Sequence, residues 1–188
     1  MISSYFKLLS KKTMSLKLRI TAGLFKGRTI TWSADHIRPT PCMMRQRLFN
    51  WLQFKIQGKH CLDLFSGTGM LGIEALSRGA SHVTFVDQNK QACQDIEKNL
   101  SHLKIDTHTI INRPIPTDLS IRPHYVFCDP PYGFTGTKAL IQWLDLHFKG
   151  AVLYYECKTS PHFPEHWHIL KTAKQGQCQA LLIEIPDA

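Results

Sequence analysis

From residue 61 onward, short apolar runs alternate with stretches of helical spacing. Residues 61–65 form one such run, with the length and composition of a buried strand. Behind it, Met70, Leu71, Ile73 and Leu76 recur on one side of a helix that stops at Arg78-Gly79, where glycine suits the left-handed C-terminal residue. Residues 83–86 read as a second strand. Asn89 then reads as the N-cap of a helix with Ala92, Cys93, Ile96, Leu100 and Leu103 on one face. Strands over 109–111, 125–128 and 151–155 follow, with a helix over 137–147 before the last of them. Residues 166–171 and 179–185 flank Gln175-Gly176 as a closing hairpin. Strands alternating with helices predict an α/β architecture, a doubly wound parallel sheet covered on both faces. The terminal hairpin, joined by a turn instead of a helix, must add an antiparallel strand.

Ahead of this alternation the pattern differs. Residues 19–31 alternate weakly and carry Gly23 and Gly27, which predicts a small hairpin. Thr40-Pro41 reads as an N-cap and first helical residue. Met44, Leu48, Trp51 and Leu52 recur behind it at helical spacing and leave Arg45 and Arg47 off the apolar stripe. The expected organisation is a flexible basic extension over 1–18, a small hairpin and helix subdomain over 19–57, and the sheet domain over 58–188.

Composition narrows the partners. At roughly 150 residues per domain, a chain of 188 residues leaves no room for two full-sized domains. Lys and Arg number 23 against 14 Asp and Glu. Residues 1–47 hold ten of those bases and the single acid Asp35, so the whole excess of nine sits there on a formally neutral remainder. That asymmetry points to a polyanion or an acidic membrane surface. Six cysteines spaced 19 to 35 residues apart, with no C-x-x-C, argue against a zinc site or a disulfide framework and fit a reducing cytosol. No metal ligand set is expected. Residues 1–18 lack a continuous apolar core, so neither a secretory signal nor a membrane span is predicted. A basic organellar presequence stays open, as does a start at Met14.

The run Asp63-Leu64-Phe65-Ser66-Gly67-Thr68-Gly69-Met70-Leu71-Gly72 places G-x-G-x-x-G between a strand and a helix, and Asp87 ends the next strand. This satisfies the dinucleotide fingerprint, so a nicotinamide dehydrogenase must be weighed. An adenosine joined to an amino acid needs the same sharp turn and ribose acceptor. Asp63 favours the second ligand, because a strand-end carboxylate repels a pyrophosphate and attracts an ammonium. S-adenosylmethionine is therefore the cofactor expected.

Asp129-Pro130-Pro131-Tyr132 ends the fourth strand, and ligands of open parallel sheets bind outside the carboxyl ends of the strands. An exocyclic base amine is a poor nucleophile because its lone pair is delocalised into the ring. Asp129 and the Pro130 carbonyl supply acceptors that draw the amine out of plane, the prolines hold them stiffly, and Tyr132 can stack on a flipped base. Pro41-Cys42, which resembles the nucleophile of cytosine-C5 methyltransferases, precedes the first core strand and lies in the wrong part of the topology.

These residues resemble the RsmD family of bacterial small-subunit ribosomal RNA guanine-N2 methyltransferases. The resemblance runs over about residues 18–185. It is carried by Arg19-Ile20, Ala22-Gly23 and Gly27-Arg28, by Arg38-Pro39-Thr40 leading to Arg45 and Leu48-Phe49-Asn50-Trp51-Leu52, by the glycine loop and the stretch from Gly72 to Ala80, and by Asp129-Pro130-Pro131-Tyr132. It implies a Rossmann-like class I S-adenosylmethionine-dependent methyltransferase with a mostly parallel seven-stranded sheet and an antiparallel closing strand. By the same resemblance, Asp63, Phe65, Gly67, Thr68, Gly69, Asp87 and Asn112 hold the cofactor, with Arg38 and Thr40 near the same crevice. Asp129, Pro130, Pro131 and Tyr132 engage the target base. Lys11, Lys12, Lys17, Arg19, Lys26, Arg28, Arg45 and Arg47 are the expected phosphate contacts, on small-subunit ribosomal RNA or an assembling subunit. A cytoplasmic monomer is expected. The chain departs from the pattern at Pro114, where a polar residue toward the adenine is usual. DNA adenine-N6 methylation, a non-catalytic RNA-binding or assembly role and the dehydrogenase are the alternatives.

Overall fold

The computed structural model describes residues 16–33 and 42–187. The expected cap Thr40-Pro41 and the candidate residues Lys11, Lys12 and Arg38 lie outside them. Strands β1 (Leu16–Arg19) and β2 (Thr29–Trp32) pair antiparallel, with Ile30 and Trp32 buried and Thr29 and Thr31 turned outward. Helix α1 (Cys42–Trp51) follows. Its buried face is Met44, Arg45, Leu48 and Phe49, continued by Leu52 just beyond the helix. The stripe is therefore rotated from the predicted one: Phe49 replaces Trp51, and Arg45 falls on the buried side.

The main sheet starts with β3 (His60–Leu64), α2 (Met70–Ser77), β4 (His82–Asp87), α3 (Lys90–Leu103) and β5 (His108–Asn112). It continues with β6 (Tyr125–Cys128), α4 (Thr137–His147), β7 (Val152–Cys157), β8 (His168–Gln175) and β9 (Cys178–Glu184). The Asn89 side chain caps α3, accepting from the amides of Gln91 and Ala92, as the sequence predicts. Strand order is β5-β4-β3-β6-β7-β9-β8, parallel throughout except for β9, which runs antiparallel to both neighbours. The last strand thus inserts beside β7, and β8 becomes the edge. β8 also extends to Gln175, beyond the predicted stretch. Its side chains are mostly exposed apart from Ala173, and a register shift between Ile169 and Lys171 breaks the alternation that periodicity depends on.

Two apolar clusters cover the two faces of the sheet. One joins Phe85 and Phe127 to α2 and α3, and it takes in Ile20, Ile30, Met44, Leu48 and Phe49 from the N-terminal elements. The other joins Leu64, Val126 and Leu153 to Leu140, Leu144 and Phe148. The N-terminal hairpin therefore shares a core with the helices of the first face. Its open edge is satisfied by a side chain: Asn99 of α3 accepts from the Thr31 amide at 3.0 Å and donates to the Thr31 carbonyl at 2.8 Å, as a neighbouring strand would. No helix among the described residues is long and apolar enough to cross a membrane.

The order reverses between β3 and its neighbours β4 and β6, with β4 on one side and β6 on the other. In open α/β sheets the crevice outside the carboxyl ends at such a point is where ligands bind.

Candidate active site

The glycine loop leaves β3 at Phe65 and is tied down by Ser66. The Ser66 amide donates to the Val86 carbonyl, and its hydroxyl donates to the Asp63 carbonyl at 2.6 Å. A turn closes from the Gly69 amide to the Ser66 carbonyl at 2.7 Å. Gly69 starts α2 at φ 72°, a left-handed conformation. A Cβ there would also lie 2.7 Å from Ile96 Cγ1 on α3. Gly72 serves packing instead: a side chain at this position would collide with the Phe85 ring, so its absence lets α2 lie against β4.

Three carboxylates converge at these strand ends. Asp63 is 2% exposed and lies beneath the loop, its Oδ2 accepting from the Gly72 amide at 2.9 Å. Burial pushes its pKa well above the usual carboxylate range; the Gly72 amide pulls it down, and the charges of Asp87 and Asp129 raise it further. Asp87, half-buried at the end of β4, accepts from the Gly67 amide on Oδ2 and from the Asn89 amide on Oδ1, both at 2.8 Å. Asn112 ends β5 and donates to the Asp87 carbonyl at 2.9 Å, which locks the neighbouring strand ends together. This concentration of acids suits a ligand carrying positive charge and would repel a pyrophosphate. A methyl sulfonium with an α-ammonium fits it. Asp63, Phe65, Gly67, Thr68, Gly69 and Asp87 would hold that ligand, Asp63 acting from below the loop.

The tetrapeptide faces this loop from the adjacent strand, since Leu64 of β3 is in register with Cys128 of β6. Phe65 and Phe134 meet edge to face, with centroids 5.2 Å apart, and so join the two loops physically. The Phe134 amide donates to the Pro131 carbonyl at 3.0 Å across a turn with Gly133 at φ 86°, the positive value that a type II turn needs at its third position. Asp129 and Pro130 are half-buried. Tyr132 stands at the rim, 55% exposed, with Lys158 Nζ 4.3 Å from its ring centroid. A cavity of about 170 Å³ lies between the tetrapeptide and the end of β7, lined by Asp129, Pro130, Tyr132, Glu156, Lys158 and Cys178.

Among the residues expected to contact phosphate, Lys17, Arg19, Lys26, Arg28 and Arg47 are exposed. Arg45 is not, and its assignment is corrected. It is 1% exposed, donates through Nη2 to the Arg19 carbonyl at 3.0 Å, and has Nε 3.9 Å from Glu74 Oε2. It lies inside the fold beside the Glu74 carboxylate, which also pairs with Arg78 at 2.9 Å, so its guanidinium is not presented to an external polyanion.

Sequence reasoning passed over Glu74, Glu156 and Lys158. Glu156 did carry a signal. It interrupts an apolar run at the carboxyl end of a parallel strand, the same placement that drew attention to Asp63, Asp87 and Asp129.

Residues 18–184 match the family described as Conserved hypothetical protein 95. The chain is 36% identical over 176 residues to Ribosomal RNA small subunit methyltransferase D of Haemophilus influenzae, covering 85% of this chain and 90% of that protein. It is 32% identical over 171 residues to the protein of the same name from Escherichia coli K12, covering 86% of each. The solved structure of yhhF from Escherichia coli superposes with a TM-score of 0.83 at 28% identity, covering 92% of this chain and all of that one. Sequence, strand order and crevice thus agree: this chain belongs to the RsmD family and has the class I methyltransferase fold.

Proposed function

We propose that the chain transfers a methyl group from S-adenosylmethionine to the exocyclic N2 of a guanine in small-subunit ribosomal RNA. The observation that carries this reading is the placement of Asp129-Pro130-Pro131-Tyr132 on the strand next to the glycine loop, with Phe65 against Phe134 and a cavity beside them. S-adenosylmethionine, when bound, supplies an electrophilic methyl on sulfur. Asp129 accepts a hydrogen bond from the amine, and the Pro130 carbonyl offers a second acceptor, so the nitrogen lone pair is drawn away from the ring. The Pro131 turn fixes both oxygens before the base arrives, which removes reorganisation from the barrier. Tyr132 at the rim presents a face for the flipped base to stack on. Asp129 then takes the surplus proton from nitrogen. The exposed Lys17, Arg19, Lys26, Arg28 and Arg47 supply phosphate contacts that position the RNA without reading it.

The test is labelled methyl transfer into small subunits or small-subunit RNA from cells lacking the modification, followed by mass identification of the labelled nucleoside. N2-methylguanosine is expected in wild type, and loss of turnover with retained cofactor binding in Asp129→Ala. Label in another base or in DNA, or full turnover in Asp129→Ala, overturns the reading.

A further inference from the structure

Glu156 is a carboxyl group inside the wall of the base cavity that the methyl-transfer chemistry does not use. It is 3% exposed, yet it lines the same cavity as Asp129. Tyr155 is in register with Cys128, so Glu156 and Asp129 are the next residues on neighbouring parallel strands. Residues in register on parallel strands point to one face of the sheet. Tyr154 and Phe127, one step back from Tyr155 and Cys128, both belong to the first apolar cluster, while Tyr155 and Cys128 belong to the other. Glu156 follows the Tyr154 side of β7.

The carboxyl is held in place from two directions. The Tyr154 hydroxyl donates to Oε1 at 2.7 Å, and the Cys178 thiol on β9 donates to Oε2 at 3.3 Å. Each oxygen of a carboxylate has a second lone pair, so both anchors can persist while the group accepts from a ligand. Burial beside Asp129 is a cost that these two hydrogen bonds offset in part, and further donors from a ligand would offset more of it. Guanine presents two adjacent donors on its Watson–Crick edge, N1–H and N2–H, and two side-by-side carboxyl acceptors complement them. Adenine has an acceptor at N1, and so does 2-aminopurine, which keeps the 2-amino group.

We infer that Glu156 is a specificity-determining residue that accepts a hydrogen bond from N1–H of the target guanine while Asp129 engages N2. The inference rests on the proposed guanine-N2 reaction. The groups facing Glu156 are Asp129 at the end of β6, Tyr154 on its own strand and Cys178 on β9, with Lys158 on the same cavity wall. Burial first, then the Asp129 charge, push the Glu156 pKa up to about 7. The ionised form repels an N1 acceptor, whereas the protonated form can donate to it. Discrimination against 2-aminopurine should therefore strengthen as pH rises through about 7.

The experiment uses the full chain and an RNA fragment around the mapped target guanine, prepared with guanine or with 2-aminopurine at that position. Methyl incorporation and, with S-adenosylhomocysteine present, equilibrium binding are measured for both RNAs from pH 6 to pH 8.5. Wild type should prefer guanine by roughly 10- to 100-fold at high pH, the worth of one well-placed base contact, and less at low pH. Glu156→Gln retains an acceptor for Tyr154, and its amide can donate to N1. It should lose most of the guanine preference and all of its pH dependence, with unchanged S-adenosylmethionine affinity. A preference that is the same at every pH in wild type overturns the inference without any variant. A preference unchanged by Glu156→Gln overturns it as well. Failure of wild type to methylate guanine N2 would instead overturn the function on which it rests.

Discussion

Removing the Glu74 carboxylate should unfasten the N-terminal hairpin from the catalytic sheet. Glu74 is fully buried on α2 and accepts from the Thr21 amide at 2.9 Å, the Thr21 hydroxyl at 2.6 Å, the Ala22 amide at 3.0 Å and Arg78 Nε at 2.9 Å. Arg45 Nε lies 3.9 Å away, and Arg45 Nε and Nη1 have no hydrogen-bond partner among the described residues. In Glu74→Ala, water can reach the part-buried Thr21 and Ala22 donors, but the Arg45 guanidinium is left buried with its charge uncompensated. Breaking one side of a buried pair costs about 3–5 kcal/mol, a large share of a domain stability of about 5–15 kcal/mol. Urea denaturation should show that loss. Hydrogen exchange should show it first at the amides of Thr21, Ala22 and Thr31. Arg45→Met in the same background removes the stranded charge and should recover a substantial part, giving a coupling energy in a double-mutant cycle. A loss below about 1 kcal/mol, or additive effects of the two substitutions, would refute the assignment of Glu74 as the counter-charge of Arg45.

Asp63→Asn preserves an acceptor for the Gly72 amide while removing a buried charge whose pKa is raised. Native Asp63 holds its proton to higher pH than the unfolded chain does, so its own contribution to stability declines as pH rises; the variant should melt higher than wild type at pH 8, with the gap closing toward pH 4, and a lower melting temperature at pH 8 would refute this. Four histidines, His124, His60, His82 and His108, stand at the amino ends of neighbouring strands. Burial and, after it, neighbouring histidines hold His60 and His82 below the ordinary value. Their contribution is therefore present above about pH 6.5 and lost as pH falls. Urea midpoints should drop on acidification with a shallower slope in His60→Gln, and parallel slopes would count against the effect. Converting Lys17, Arg19, Lys26 and Arg28 together to Gln should reduce the slope of log affinity for RNA against log salt by roughly 0.7–0.9 for each phosphate no longer neutralised, leaving S-adenosylmethionine binding unchanged in titration calorimetry.

The parallel core was legible because its signals are local and redundant. Strands β3, β4, β6 and β7 are short, mostly apolar and buried, and β3, β4 and β6 each carry or precede an acid at the carboxyl end that the topology turns toward the crevice. The buried face of α3 follows the 3.6 period and Asn89 caps where its type predicts, whereas α2 is buried at every position and its one-sided stripe is not seen. Arg45 was misplaced because one helical position separates the buried face from the exposed one, and a buried arginine depends on Glu74, 29 positions away in sequence. No local pattern encodes that pairing. The same holds for Asn99, whose work as a substitute strand is visible only once β2 lies against α3. Edge strand β8 shows too little alternation for periodicity to place its ends.

The charge asymmetry of the chain becomes informative only when its internal member is set apart. With Arg45 buried, the exposed cations of the first described elements are Lys17, Arg19, Lys26 and Arg28 on the hairpin and Arg47 on α1. The hairpin is bolted to α2 by Glu74, and Ser77 of the same helix donates to the Ala22 carbonyl at 2.6 Å. The glycine loop opens that helix at Gly69. Glu74 lies four residues along the helix from Met70, a rise of about 6 Å. The exposed cations of the hairpin and the glycine loop are thus both fixed to one short helix. A non-specific electrostatic grip can then contribute to a reaction that demands orientation, because a backbone caught by the hairpin is already indexed to the crevice. On the proposed function such a grip need not read sequence, and discrimination between bases would fall to Asp129 and Glu156 beside the cavity.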